Sequence, residues 1–239
     1  MPDSETSVKP IDHYEFWYVT EQAASHELSV RGQFDQDDHS IRTERVRLLG
    51  NPVQKTLEQN ESENPELPDV HLVAYRLAPM AGPPMTKHVR VTNQLSATPV
   101  DWFVTDRPVD PENFPLLVLL PAWKKLSNHN GPVPQGPQFV CYPVLPNAAP
   151  VNRSVRLVDQ FSDQNVQHLV PRYLCVPVRT NYQPMWNDVE HLALYEYSSD
   201  VPPSASAAWT RDAIRKWDAL KIGKSVMLGV PSKKEVLPD

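Results

Sequence analysis

Glycine and cysteine are scarce in this chain, with 7 and 2 among 239 residues. Few glycines leave little material for phosphate-cradling loops, and no phosphate-loop or dinucleotide fingerprint is present. No Gly-x-Ser-x-Gly elbow and no His-Glu-x-x-His helix occur either. No run of about 18 apolar residues is available to span a membrane as a helix. Met1 to Glu5 lack the basic-then-apolar succession of a secretory signal, so a cytoplasmic location is expected. The formal charge of −6 is spread along the chain, which argues against a nucleic-acid surface. Proline, in contrast, is abundant at 26 residues, which suits many short strands and disfavours long helices.

What the chain does contain is a three-part pattern, clearest over residues 138–180. An aromatic, β-rich run (Gln138 to Val144) is followed by an alternating run (Val155 to Phe161). The third run, Tyr173 to Arg179, is apolar until its basic end. Each reads as a strand. The first run returns from His13, His71 and His191, each time with an aromatic at the fifth place: Trp17, Tyr75 and Tyr195. The third returns as an apolar run, a proline and a basic end at Leu48 to Lys55, Leu119 to Lys125 and Met227 to Lys234. The middle run is clear at Leu28 to Phe34 and Val89 to Leu95, while its fourth copy falls somewhere in 208–220.

These repeats, over 13–55, 71–125, 138–180 and 191–234, predict an all-β fold. It would have four pseudo-repeats of about three short strands each, closed as a radial, propeller-like ring or as paired barrel-like halves. A single repeat domain over 11–239 is expected after a flexible terminus of ten residues. The loop-rich stretch 127–137 is the boundary if there are two domains. Ile214, Trp217 and Leu220, spaced three apart among helix formers, predict one short helix near 207–220.

Equivalent places in the first and third runs pair a large residue with a small one. Phe16 goes with Gly50, Leu119 with Ala74, Leu194 with Gly229, and Cys141 with Cys175. Close packing demands such compensation between side chains that touch. The first and third strands of each unit are therefore expected to be neighbours, with the cysteines face to face. They would be a buried thiol pair in a reducing compartment and a disulfide in an oxidising one.

The strand motifs of unit three, Phe139 to Tyr142, Val158 to Phe161 and Leu174 to Val178, resemble an uncharacterised bacterial tandem β-repeat domain often found in predicted secreted proteins. The resemblance implies the repeats and the cysteine pairing. It implies no catalytic residues.

Candidate chemistry lies in constellations. His13, His71 and His191 share one place in three units, with Gln138 in the fourth and the acids Asp12, Asp69 and Glu190 nearby. Gathered round one axis they could bind a transition metal or act as acid and base with Glu190, although capping of backbone groups is the plainer reading. A second candidate, the carboxylate cluster Asp35, Asp37, Asp38 with His39, lacks the glycine and closing glutamate of a calcium loop. No resident metal or cofactor is expected. Trp102 and Phe103, in a proline-bounded insertion ending at Phe114, could line a recognition lip or plug the core. With Trp17, Trp123, Trp186 and Tyr195 they are the candidate ligand-binding aromatics. The expected function is a binding or scaffold protein presenting loops or a central pocket to a small molecule, sugar or protein. The alternative is an enzyme with an apolar axial pocket and His/carboxylate chemistry. A filled centre would favour binding.

Overall fold

The structure, a computed structural model, describes residues 9–35, 37–57, 62–80, 82–96, 98–125, 133–215 and 218–238. The first eight residues of the expected flexible terminus, residues 127–132 of the loop-rich stretch, and Trp217 lie outside them. Among the described residues there is no helix. The chain runs through β1 (Tyr14–Val19), β2 (Ala23–Gly32), β3 (His39–Pro52), β4 (Gln54–Leu57), β5 (Ser62–Glu63), β6 (His71–Leu77), β7 (Thr86–Thr92) and β8 (Val100–Thr105). It continues through β9 (Leu117–Lys125), β10 (Phe139–Pro143), β11 (Val155–Val158), β12 (Asp163–Val166), β13 (Val170–Thr180), β14 (Glu190–Glu196), β15 (Ala207–Arg211) and β16 (Asp218–Val236).

Eight strands close on themselves by antiparallel pairing, in the order β1, β3, β6, β9, β10, β13, β14, β16 and back to β1. These are the first and third runs of the four sequence units, two strands per unit. The registers set Phe16 opposite Gly50, Ala74 opposite Leu119, Cys141 opposite Cys175 and Leu194 opposite Gly229. All four compensated pairs are thus cross-strand neighbours. The cysteines form a disulfide with their Cα atoms 3.8 Å apart.

Alternation along each ring strand separates two cores. One cluster takes buried side chains from all eight ring strands and from no other strand, among them Phe16, Leu72, Leu119, Phe139, Cys141, Tyr173, Leu194 and Met227. It fills the inside of the ring. The intervening residues, such as Trp17, Val73, Leu120, Val140 and Tyr195, join a second cluster with residues from β2, β7, β8 and β11 outside the ring. Ring strands are buried on both faces, which is why their sequences read as continuous apolar runs.

The prolines fit this geometry. Pro52, Pro121, Pro177 and Pro231 lie opposite Tyr14, Leu72, Phe139 and Leu192 in the same register of their units. Each comes two residues after the last pair its strand makes with the next unit. Val53 and Val178, the residues after two of them, donate their N–H groups to His13 and Gln138 O at 3.0 Å. The missing proline N–H therefore faces the side where the ladder has ended, so no ring hydrogen bond is lost.

Middle runs lie outside the ring and tie the units together. Each pairs with the basic end of the third run two units away: β2 with β13, β7 with β16, β11 with β4 and β15 with β9. The helix expected near 207–220 is corrected here. Ala207 to Arg211 is a strand between β9 and β16, and Asp218 already begins β16. A helical spacing over so short a segment has little intrinsic stability, and pairing on both sides overrides it. Among the described residues the strands number sixteen and not about twelve, because hairpin partners such as β8 and β12 follow two of the middle runs. The supposed aromatic loop at 101–105 is one of them, strand β8.

Candidate functional site

The three histidines do not gather on an axis. His13, His71 and His191 alternate with inward-facing Tyr14, Leu72 and Leu192, so their rings lie outside the ring of strands. Each sits beside the lysine three places after its unit's proline. Lys55 and Lys124 depress His13 and His71, and Lys234 depresses His191, but burial is the larger cause in every case. His13 and His191 fall to about 3, and His71 falls well below its ordinary value, so all three are neutral. Unit three carries Gln138 and Thr180 in these two places, and Thr180 Oγ1 donates to Gln138 Oε1 at 2.7 Å. His and Lys have been exchanged together for a hydrogen-bonded Gln and Thr.

The middle run of the following unit covers each pair. His191 Nε2 faces Gln33 Oε1 at 3.0 Å, and the Lys234 ammonium lies 4.2 Å above the Phe34 ring. Lys124 lies 4.3 Å above Phe161, and Lys55 hydrogen-bonds Gln94. Middle runs also bind the fifth-place aromatic two units on. Trp17 Nε1 donates to Asp159 at 3.0 Å, Asn93 donates to Tyr195 Oη at 2.8 Å, and Tyr75 donates to Asp212. Asp159, Asn93 and Asp212 each fold back on the N–H two residues later, as an Asx turn does. Asp212 thus marks the fourth middle run, which reasoning from helical spacing missed.

Among the described residues no three His, Cys, Asp or Glu side chains come together as a metal site. Glu190 accepts from Asn187 Nδ2 at 3.3 Å. Of the acidic loop, Asp35 accepts from Gly32 N at 2.7 Å and Asp38 pairs with Arg179 at 2.8 Å. The candidate aromatics serve mostly as core. Trp17 and Tyr195 are fully buried, and Trp102, also buried, meets Tyr195 edge-on with ring centroids 5.9 Å apart. Trp123 is half-buried on β9, and Trp186 donates to Pro10 O at 3.2 Å. Phe103 alone among them is exposed, stacked on His88 at 4.5 Å.

A surface cleft of about 560 Å³ lies instead between β12, β14 and β16. Tyr18 and Tyr197 form its wall, and Asn165, Gln167, Glu196, Ser198 and Lys224 surround them. Alternation along β12 places Asn165 and Gln167 outward, exposed at the edge of the four-stranded sheet. Arg172 fixes Glu196 through Nε at 2.7 Å. His168, also in the lining, has φ of 56°, in the left-handed region that non-glycine residues seldom occupy. Such a conformation persists only where surroundings enforce it, and it collects at ligand sites.

Behind the cleft lies a buried polar network. Tyr197 Oη donates to Glu15 Oε1 at 2.9 Å, and Gln164 Nε2 donates to the same carboxylate. Burial, with the charge of Asp159 as second cause, raises Glu15 to about 7. Neither histidine nor aromatic periodicity pointed to this cleft, because its residues belong to connections and strand ends outside the repeated pattern. Compared with known protein families, with curated proteins and with solved structures, the chain shows no match.

Proposed function

We propose that this is a binding module that takes a small polyhydroxylated molecule, of the sugar class, in the cleft beside Tyr18. One observation carries the reading: a cleft of about 560 Å³ joins two tyrosines to amide, carboxylate and hydroxyl side chains. That volume lies within the range of small-molecule sites. Half-buried Tyr18 supplies an apolar face for the C–H side of a sugar ring, with Tyr197 as the buried floor whose hydroxyl is turned to Glu15, while Asn165, Gln167, Glu196 and Ser198 offer donors and acceptors to its hydroxyls. Packing inside the ring supports an external site over a central pocket. The resemblance to a tandem β-repeat domain belongs to the same proposal, with the units as scaffold. Cytoplasmic residence sits uneasily with the Cys141–Cys175 bond, which persists where thiols are not kept reduced.

Calorimetric titration with neutral mono- and disaccharides tests the reading. Wild type should bind at least one, and the exposed double variant N165A/Q167A should lose about ten-fold or more in affinity, or about 1.4 kcal/mol. Failure of every sugar at millimolar concentration sinks it. The enzyme alternative draws on Glu15, whose near-neutral carboxyl touches the cleft wall through Tyr197. Turnover of a bound sugar that is lost in E15Q would establish it.

A further inference from the structure

Lys55, Lys124 and Lys234 occupy one place in three units, but their ammonium groups meet different surroundings. Lys55 is ion-paired with Glu63 at 3.2 Å. Lys124 donates to Asn51 Oδ1 at 2.8 Å, and burial lowers it to about 8 against the opposing charge of Asp159. Lys234 has, among the described residues, neither a carboxylate in ion-pair range nor a hydrogen-bond acceptor. Its Nζ rests 4.2 Å above the Phe34 ring, beside the neutral imidazole of His191. Lys124 is buried, whereas Lys234 is half-buried and open to a reagent.

We infer that Lys234 is a nucleophilic amine and a covalent acceptor site for carbonyl compounds, built from Lys234, Phe34 and His191. With no carboxylate in ion-pair range and an aromatic face and a neutral imidazole beside it, the ammonium keeps only its remaining water and a weak cation–π contact to favour the protonated form. Burial lowers Lys234 to about 8, with no opposing charge. Roughly a quarter of it is then the free amine at pH 7.5, against about one part in a thousand for an ordinary surface lysine. The lone pair of Nζ attacks the carbonyl carbon of an aldehyde or ketone, and the carbonyl oxygen takes up a proton. The resulting carbinolamine loses water to leave an imine. No oxidant or second substrate is needed. The site is independent of the sugar cleft, so either reading can fail without the other.

The test uses the full, disulfide-intact protein with limiting formaldehyde and cyanoborohydride at pH 7.5, followed by peptide mass spectrometry of every lysine. Lys234 should be methylated about ten-fold faster than Lys233 and Lys224, which are exposed on the same strand. In Phe34→Ala the advantage should fall at least three-fold, because water then reaches the ammonium and the burial that depresses it is lost, which outweighs the loss of the weak cation–π contact. A Lys234 rate no greater than that of Lys233 overturns the proposal, as does an advantage unchanged by loss of Phe34.

Discussion

Phe16 lies directly against Gly50 across the β1 and β3 pair, and a Cβ built on that glycine would come within 2.7 Å of Phe16 Cε1. On the other side of the same ring, a Cβ on Gly229 would come within 3.0 Å of Phe16 Cε2. One phenylalanine thus fills the space that two glycines leave open inside the ring.

Enlarging either glycine should therefore overpack the interior. Gly50→Leu is expected to cost about 1–3 kcal/mol or more, read as a lower urea midpoint at unchanged slope. Combining it with Phe16→Ala should recover part of the loss, because the two side chains compete for one volume. Additive losses would mean that Phe16 and Gly50 are not in contact.

Loss of the disulfide should be costly because it closes 34 residues of chain. The double variant C141A/C175A is expected to lose roughly 3–4 kcal/mol. Folded protein should show no thiol to Ellman's reagent, and unfolded, unreduced protein should show none either. Two thiols appearing on unfolding would mean that the bond is open in the native protein.

Acid should unfold the protein through its histidines. Their native pKa values lie below 6.5, at about 3 for His13 and His191 and well below the ordinary value for His71. Protonation therefore favours the unfolded chain, and stability is lost as pH falls below 6.5. Each buried histidine should contribute roughly 2 kcal/mol of loss by pH 5. Glu15 acts with the opposite sign: raised from 4.5 to about 7, it removes stability as pH climbs through that window. Unfolding midpoints between pH 8 and 5 should fall toward acid, less steeply in His191→Gln. An identical pH profile in that variant would show that His191 titrates normally.

The exchange of His and Lys for Gln138 and Thr180 predicts coupling within unit four. Replacing His191 with glutamine or Lys234 with threonine singly should destabilise, since each leaves half of a matched pair. The double variant H191Q/K234T should recover about 0.5–3 kcal/mol relative to the sum, as a double-mutant cycle by denaturant unfolding would report. A coupling of zero would separate the two residues.

Residues in direct contact across neighbouring strands were legible in the sequence. Large-with-small matching at Phe16 and Gly50, or at Leu194 and Gly229, records a contact whose two members must change together. The all-β class followed from run length and alternation. The helix near 207–220 was misread because the spacing of Ile214, Trp217 and Leu220 is a weak local signal. Alignment of Asp212 and Ile214 with Asp159 and Phe161 would have revealed a strand and its turn.

The sequence by itself determined that its apolar and alternating runs become strands and that the first and third runs of each unit are neighbours, because these depend on side-chain period and contact volume within one unit. Only the tertiary structure decided that the eight ring strands close in one circuit, that β2, β7, β11 and β15 reach two units away, and that His191 faces Gln33 rather than the other histidines. Those outcomes rest on pairings over long sequence separations and on which strand face a residue takes once its register is set. The cleft beside Tyr18 was decided in the same way, since Asn165, Glu196 and Lys224 meet only when three distant segments have packed.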